Sequence, residues 1–179
     1  MDIAFLVKIT SRAWALSILA SLDRGVPGRQ APLLAAIGAG RTAFAQSMAH
    51  LIELGLVERN PGHGHPLRPE FRLTLKGLKA ARMAGQILAA DLPATEPGLL
   101  RRVWTVPVLA VCQSPRHFGA IKADLAPITD RALSQTLKQL HLRNWVRRRT
   151  DGAEHPPRPL YQAANAGLVI GQAATTLAL

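Results

Sequence analysis

Apolar positions along the chain fall into short helical runs separated by prolines, glycines and turn residues. In the C-terminal half, Val103 to Cys112 is an apolar run that predicts a helix. Ser114-Pro115 predicts the start of the next one, with the proline at its first helical position. Phe118, Ile121 and Leu125 keep helical spacing until Ala126-Pro127, where proline disfavours helical geometry in the residue before it. Thr129 is then a good N-cap for a helix through Arg143, on which Leu133, Leu137 and Leu140 form one apolar stripe. Trp145-Val146-Arg147-Arg148-Arg149 reads as a strand, Asp151-Gly152 as a turn and Leu160-Tyr161-Gln162-Ala163 as the returning strand. The N-terminal half gives the same order: a helix from Trp14 to Leu22, a second around Leu33 to Ile37, and a glycine-rich turn at Gly38-Ala39-Gly40. A third helix then runs from Arg41 to Leu54 with stripe Phe44, Met48 and Leu51. Three helices followed by a hairpin make a winged helix, so the pattern predicts an α+β, mainly α chain of two tandem winged helix-turn-helix domains.

An internal repeat of about 90 residues supports that reading, because so long a period means duplication of a domain and not a solenoid. Arg12-Ala13-Trp14 recurs as Arg102-Val103-Trp104, and Gly77-Leu78 as Gly167-Leu168. His65-Pro66, Arg68-Pro69 and Phe71 recur as His155-Pro156, Arg158-Pro159 and Tyr161. Between these anchors Ala43, Gln46, Leu51, Val57 and Arg59 match Ala132, Gln135, Leu140, Val146 and Arg148 after a slip of one residue, as a compensated indel produces. Asp91 to Gly98, with two prolines and no basic residue, has the composition of a linker. The expected organisation is a first domain over 1–90, a linker over 91–100 and a second domain over 101–179.

Charge adds a partner to this picture. Of 179 residues, 48% are apolar, enough for a core, while 22 Lys and Arg against 11 Asp and Glu leave a formal charge of +11. Residues 1–90 carry 11 basic and 5 acidic side chains (+6), and residues 91–179 carry 11 and 6 (+5). An excess spread over both halves points to nucleic acid, whereas a membrane surface calls for one basic amphipathic helix. No secretory leader is expected, because Asp2, Lys8 and Arg12 interrupt the apolar N-terminus, and the uncharged tail from Ala163 is too short to span a membrane. Cys112, the single cysteine, excludes an internal disulfide and lies in an apolar run, which favours a core thiol over a redox sensor.

On the helix ending at Arg143, Thr129 caps the start, and the face opposite the leucines holds Arg131, Ser134, Gln135 and Lys138 at spacings of three and four. Such side chains reach guanine, adenine and phosphate oxygens in a major groove. A solvated surface face would look the same in isolation; the helix-turn-helix context favours DNA. The matching positions in the first half are Thr42, Ala45, Gln46 and Ala49, preceded by Arg41, a less polar face. Arg68 and Arg158 sit beside prolines at the hairpin tips, where a stiff backbone would hold an arginine extended toward a minor groove. The run Arg147 to Arg149 alternates faces, so only some of it can meet one phosphate backbone. His63, His65 and His155 lack a four-ligand spacing, so no metal and no cofactor are expected. With no phosphate-cradling glycine loop, nucleophile elbow or paired catalytic carboxylates, the sequence points away from an enzyme.

The second half resembles the HxlR-type winged-helix regulators of bacteria, with MarR-type regulators as more distant relatives. The resemblance rests on Trp104 opening a helix with Val108-Leu109, on Pro115 and Phe118, and on Ile128-Thr129 leading into Leu133-Ser134 and Leu137-Lys138. Pro156-Pro157-Arg158 and Tyr161 match the wing; His117 stands where the family pattern has arginine. The first half is similar more loosely, through Glu70 to Gly77. The resemblance implies a sequence-specific, double-stranded-DNA-binding regulator of transcription, cytoplasmic and associated with the nucleoid. Tandem winged helices also occur in protein-interaction modules and in replication-initiator or nucleoid-associated proteins, which stand as alternatives. Such regulators typically carry one domain and form homodimers. The duplication here, with apolar closing helices bearing Leu78, Ile87 and Leu88, and Leu168, Ile170 and Leu177, suggests an intrachain pseudo-dimer, a homodimer of whole chains being the alternative.

Overall fold

A computed structural model describes residues 2–60, 70–90, 97–151 and 157–176. The chain begins with α1 (Ile3–Thr10), α2 (Ala15–Asp23), α3 (Gln30–Ile37) and α4 (Arg41–Glu53). A hairpin of β1 (Val57–Arg59) and β2 (Phe71–Leu73) leads into α5 (Leu75–Leu88). The short α6 (Pro97–Leu100) opens a second series: α7 (Thr105–Val111), β3 (Arg116–His117), α8 (Phe118–Asp124) and α9 (Asp130–Leu142). It ends in β4 (Val146–Asp151), β5 (Arg158–Ala163) and α10 (Ala166–Thr175). Both stripes read from the sequence are buried, Phe44, Met48 and Leu51 on α4 and Leu133, Leu137 and Leu140 on α9.

The two series share hydrogen bonds as well as element order. Ile18 N–H donates to the Trp14 carbonyl at 2.9 Å, and Val108 N–H to that of Trp104 at 3.0 Å. After the long helices, Gly55 and Asn144 both take positive φ, 67° and 57°, the left-handed residue that ends a helix. Leu56 N–H then returns to the Leu51 carbonyl at 3.0 Å, as Trp145 N–H does to Leu140 at 2.9 Å. The carbonyls of Leu56 and Trp145 in turn accept from Thr74 at 3.1 Å and Ala164 at 2.8 Å, fixing where each closing helix starts. Equivalent residues are 90 apart at the tryptophans, 89 apart from Leu51 to Leu56, and 90 apart again at Gly77 and Gly167. The slip in the repeat therefore enters before α4 and α9 and is cancelled in the hairpins.

In the first hairpin Val57 lies opposite Leu73 and Arg59 opposite Phe71, antiparallel. The second sheet has order β3-β5-β4, with Arg116 opposite Tyr161 and Val146 opposite Ala163. The strand β3 corrects the expectation of a helix opening at Pro115. Arg116 and His117 find an open sheet edge on β5, so extended backbone prevails there and the helix starts at Phe118 with His117 as N-cap. The first apolar helix of this half likewise opens at Thr105, with Val103 outside it and Trp104 as N-cap. α1, which the sequence pattern did not single out, is capped by the Asp2 carboxylate accepting from Phe5 N–H at 3.1 Å. The stretch 91–100 expected as linker holds α6 at its end, where Leu100 is buried.

The halves meet. α5 packs against α10 and α1 against α7. Thr10 Oγ1 donates to the Val103 carbonyl at 2.8 Å across that second contact. Ile87 and Ile170 are fully buried, while Leu78, Leu88 and Leu168 are half-buried; Leu177 lies outside the described residues. Among the described residues no single helix is long and apolar enough to cross a membrane. The apolar pair α1–α2 is bent by 94°, and its Leu6, Ile9, Ile18 and Leu19 belong to the core.

Candidate nucleic-acid interface

The arrangement of α9 follows from its sequence. Thr129 Oγ1 accepts from Ala132 N–H at 3.2 Å, satisfying one of the amides that a helix start leaves open. Asp130 in the first turn complements the helix dipole, and Lys122 on α8 pairs with it at 2.7 Å, tying the two helices of the turn together. Three leucines hold one face to the core. On the opposite face Arg131, Ser134, Gln135 and Lys138 are all exposed. Arg102 Nη1 donates to Gln139 Oε1 at 2.7 Å, so the side of α9 is clamped to the segment before α7.

α4 is presented in the same way with different chemistry. Gly38 with φ 68° ends α3, Gly40 stands at the N-cap position without a side chain to offer, and α4 begins at Arg41. Arg41, Thr42, Ala45, Gln46 and Ala49 are exposed on the face opposite Phe44, Met48 and Leu51. At the place of Gln139 stands His50. Its Nε2 lies 2.8 Å from the Lys8 carbonyl and 3.1 Å from Ser11 Oγ. That carbonyl only accepts, so the ring nitrogen carries the proton. Both long helices are thus pinned to the segment that precedes the tryptophan helix.

The second hairpin carries a further cluster of positive charge. Arg147, Arg148 and Arg149 are all exposed, although the alternation of β4 puts Arg148 on the side of buried Val146. The strand runs past the core, so neither face is covered there. Arg158 opens β5 opposite Asp151 and is exposed. The hairpin is braced toward its turn end: His117 Nδ1 lies 3.3 Å from the Pro159 carbonyl, and His117 Nε2 3.4 Å from Asp151 Oδ2. Arg68, His63 and His65, and His155, lie outside the described residues. Among the described residues no cluster of His, Cys, Asp or Glu is placed to hold a metal ion.

Cys112 is fully buried, and burial pushes its thiol up to about 12, against a weaker opposing effect of the Arg116 charge. Its carbonyl accepts from Ala163 N–H at 2.7 Å, joining α7 to the end of β5. The position is structural. Two features escaped sequence reasoning, the paired clamps at Gln139 and His50 and the stacking of Arg101 on the Trp14 ring at 4.0 Å. The repeat of Arg12 as Arg102 was the available signal for the first.

A helix, a tight turn, an exposed second helix and a hairpin, in that order, are the parts of a winged helix-turn-helix. The sequence agrees in the second half: residues 99–178 match the family model described as HxlR-like helix-turn-helix, a segment that holds α7 to α10 and β3 to β5. No curated protein matches the chain.

Proposed function

We propose that the chain is a sequence-specific DNA-binding regulator of transcription, made of two tandem winged helices that face one duplex as an intrachain pseudo-dimer. The domains comprise residues 1–90 and 101–179, joined by a linker over 91–100 that ends in α6. α9 and α4 enter major grooves, and the two hairpins act as wings. The observation that carries this reading is the exposed face of α9. Arg131, Ser134, Gln135 and Lys138 stand together opposite a fully buried leucine stripe, inside the segment that matches a helix-turn-helix family. Arginine and lysine there reach guanine, glutamine reaches adenine, and the serine is indifferent to base. Arg147, Arg149 and Arg158 on the adjoining hairpin add phosphate contacts, which fix position without reading sequence.

The test is selection of duplexes from random DNA, followed by binding to the selected duplex over a range of salt. The expected outcome is a defined motif bound with an affinity that falls steeply as salt rises, log K dropping about 0.9 per phosphate contact per decade. A chain that enriches no motif, or binds selected and scrambled duplexes alike, is not a sequence-specific regulator.

A further inference from the structure

Each long helix is held from the side one turn beyond the glutamine that the two exposed faces share. Gln46 is followed four residues later by His50 on α4, and Gln135 by Gln139 on α9. His50 Nε2–H donates to the Lys8 carbonyl at 2.8 Å, and the same carbonyl accepts from Ser11 Oγ at 2.7 Å. Arg102 Nη1 donates to Gln139 Oε1 at 2.7 Å, while Arg102 N–H donates to the Leu99 carbonyl at 3.1 Å and keeps the backbone of the anchor in a turn. The two anchor points are themselves joined. Thr10, two residues after Lys8, is buried, and its hydroxyl donates at 2.8 Å to the carbonyl of Val103, the neighbour of Arg102. The carbonyls of Leu6 and Val7 lie farther from it, at 3.1 and 3.3 Å, and a hydroxyl has one proton, which the shortest contact takes. Pro107, four residues beyond Val103 in α7, has no N–H to offer that carbonyl, so the donor comes from the other half. By the 90-residue repeat the counterpart of Thr10 is buried Leu100, which has no hydroxyl, and the bond therefore has no symmetric twin.

We propose that this series of hydrogen bonds, from His50 through Lys8, Thr10, Val103 and Arg102 to Gln139, fixes α4 relative to α9 and thereby selects the separation of the two half-sites on DNA, with Thr10 as its central positioning residue. The proposal rests on the DNA-binding reading above and adds to it what decides spacing. The contact of α5 with α10 is made by helices whose buried residues are apolar, Ala80, Ala84 and Ile87 on one and Ile170, Ala173 and Ala174 on the other. Apolar contact is non-directional, and packed helices shift past one another by about 1–2 Å. Hydrogen bonds are stricter: bonds of 2.7–2.8 Å are lost once donor and acceptor part beyond about 3.5 Å, so each of the three absorbs less than about 1 Å. Moving one half-site by a base pair displaces it about 3.4 Å along the duplex and turns it by about 35°. That step is larger than the series can follow. A changed spacing is then met only by breaking one of its bonds or by deforming the DNA, and either weakens binding.

Two measurements on the full chain test this. On a duplex obtained by selection, the separation of the half-sites is changed by one base pair in each direction. The native chain is expected to bind the altered duplexes at least about tenfold more weakly than the selected one. Thr10→Val, which keeps the shape of the side chain and removes the hydroxyl, should reduce that ratio to about threefold or less with base preference inside each half-site unchanged, and Thr10→Ser should restore it. Arg102→Ala, at an exposed residue, should act as Thr10→Val does, even if the buried variant folds poorly. Without DNA, spin labels on Ala45→Cys and Ser134→Cys report the distance from α4 to α9 by electron paramagnetic resonance, since Cys112 is fully buried and stays unlabelled. The distribution should be single and narrow, should widen at least about 1.5-fold in Thr10→Val or Arg102→Ala, and should recover in Thr10→Ser. A spacing ratio that stays native in both Thr10→Val and Arg102→Ala, a distribution that widens in neither, or a loss of base preference along with spacing overturns the proposal. A chain that selects no duplex, yet whose distribution widens as expected, overturns the DNA-binding reading and leaves the link between the helices standing.

Discussion

Gly77 and Gly167 show how a single atom decides a repeated position. Each sits in the first turn of a closing helix, where a Cβ would collide with a backbone carbonyl, that of Leu56 for Gly77 and that of Trp145 for Gly167. The carbonyl is itself held by hydrogen bonds from Thr74 or Ala164, so it cannot step aside cheaply. Gly77→Ala and Gly167→Ala should each destabilise the chain by about 1–3 kcal/mol in urea unfolding, the range for overpacking. Gly85→Ala on the same helix α5 meets nothing within 4 Å and should stabilise it by about 0.5–1 kcal/mol, as removal of a mid-helix glycine does. If the three variants shift stability alike, close approach is not what these glycines serve. Cys112 gives a pH prediction. Its thiol lies at about 12 in the folded chain against an ordinary 9.0, so below pH 9 both states keep the proton and stability is unaffected. As pH rises above 9 the unfolded thiol ionises first, which favours unfolding until the folded thiol follows. The urea midpoint of the native chain should therefore fall more between pH 8 and 10.5 than that of Cys112→Ala, and parallel profiles would refute this.

At the scale of elements, the two long helices differ in how they are built and in what they offer. α9 has a threonine cap, an acidic first turn and two cationic side chains on its exposed face. α4 has a glycine at the cap position and two exposed alanines. Replacing Arg131, Gln135 and Lys138 together by alanine is expected to abolish specific DNA binding with the melting temperature within a few degrees of the native chain. Replacing Thr42 and Gln46 should weaken it by a smaller factor. Normal binding by the triple variant would place the interface elsewhere. These helices were legible in the sequence because each buries one stripe of three apolar residues, and an unbroken 3.6-residue period survives any tertiary setting. What was not legible depends on partners distant in sequence. β3 exists because Arg116 and His117 meet β5 some 44 residues later, a pairing that no local pattern announces. α1 looked like an apolar N-terminal run until the contact with α7 gave its buried face a destination. The exposure of all three arginines in β4 was hidden for a related reason: alternation assigns faces, and only the position of the core says whether a face is covered.

For the whole molecule, the contacts of α5 with α10 and of α1 with α7 bring the two halves together in a single chain. Homodimers with identical reading helices bind palindromes, because the symmetry of the protein is mirrored in its site. Here the exposed faces of α4 and α9 share only the glutamine, Gln46 and Gln135. The preferred site should accordingly be asymmetric, with the half read by α9 favouring guanine and contributing most of the discrimination, and the two halves about one helical turn, ~10 base pairs, apart. A perfectly palindromic consensus would show instead that two chains bind together. Covalent connection of the halves has a further consequence, in mass action. A regulator that must first associate loses its competent form on dilution, so its occupancy of DNA rises as the square of its concentration when scarce. On the proposed reading, with both recognition helices on one polypeptide, no assembly step would exist to be diluted away, and the partner would always be present at the fixed effective concentration set by the junction. Binding isotherms at nanomolar protein should be first order in chain, with a Hill coefficient of about 1. A cell holding a handful of copies would then respond in proportion to their number, without a threshold.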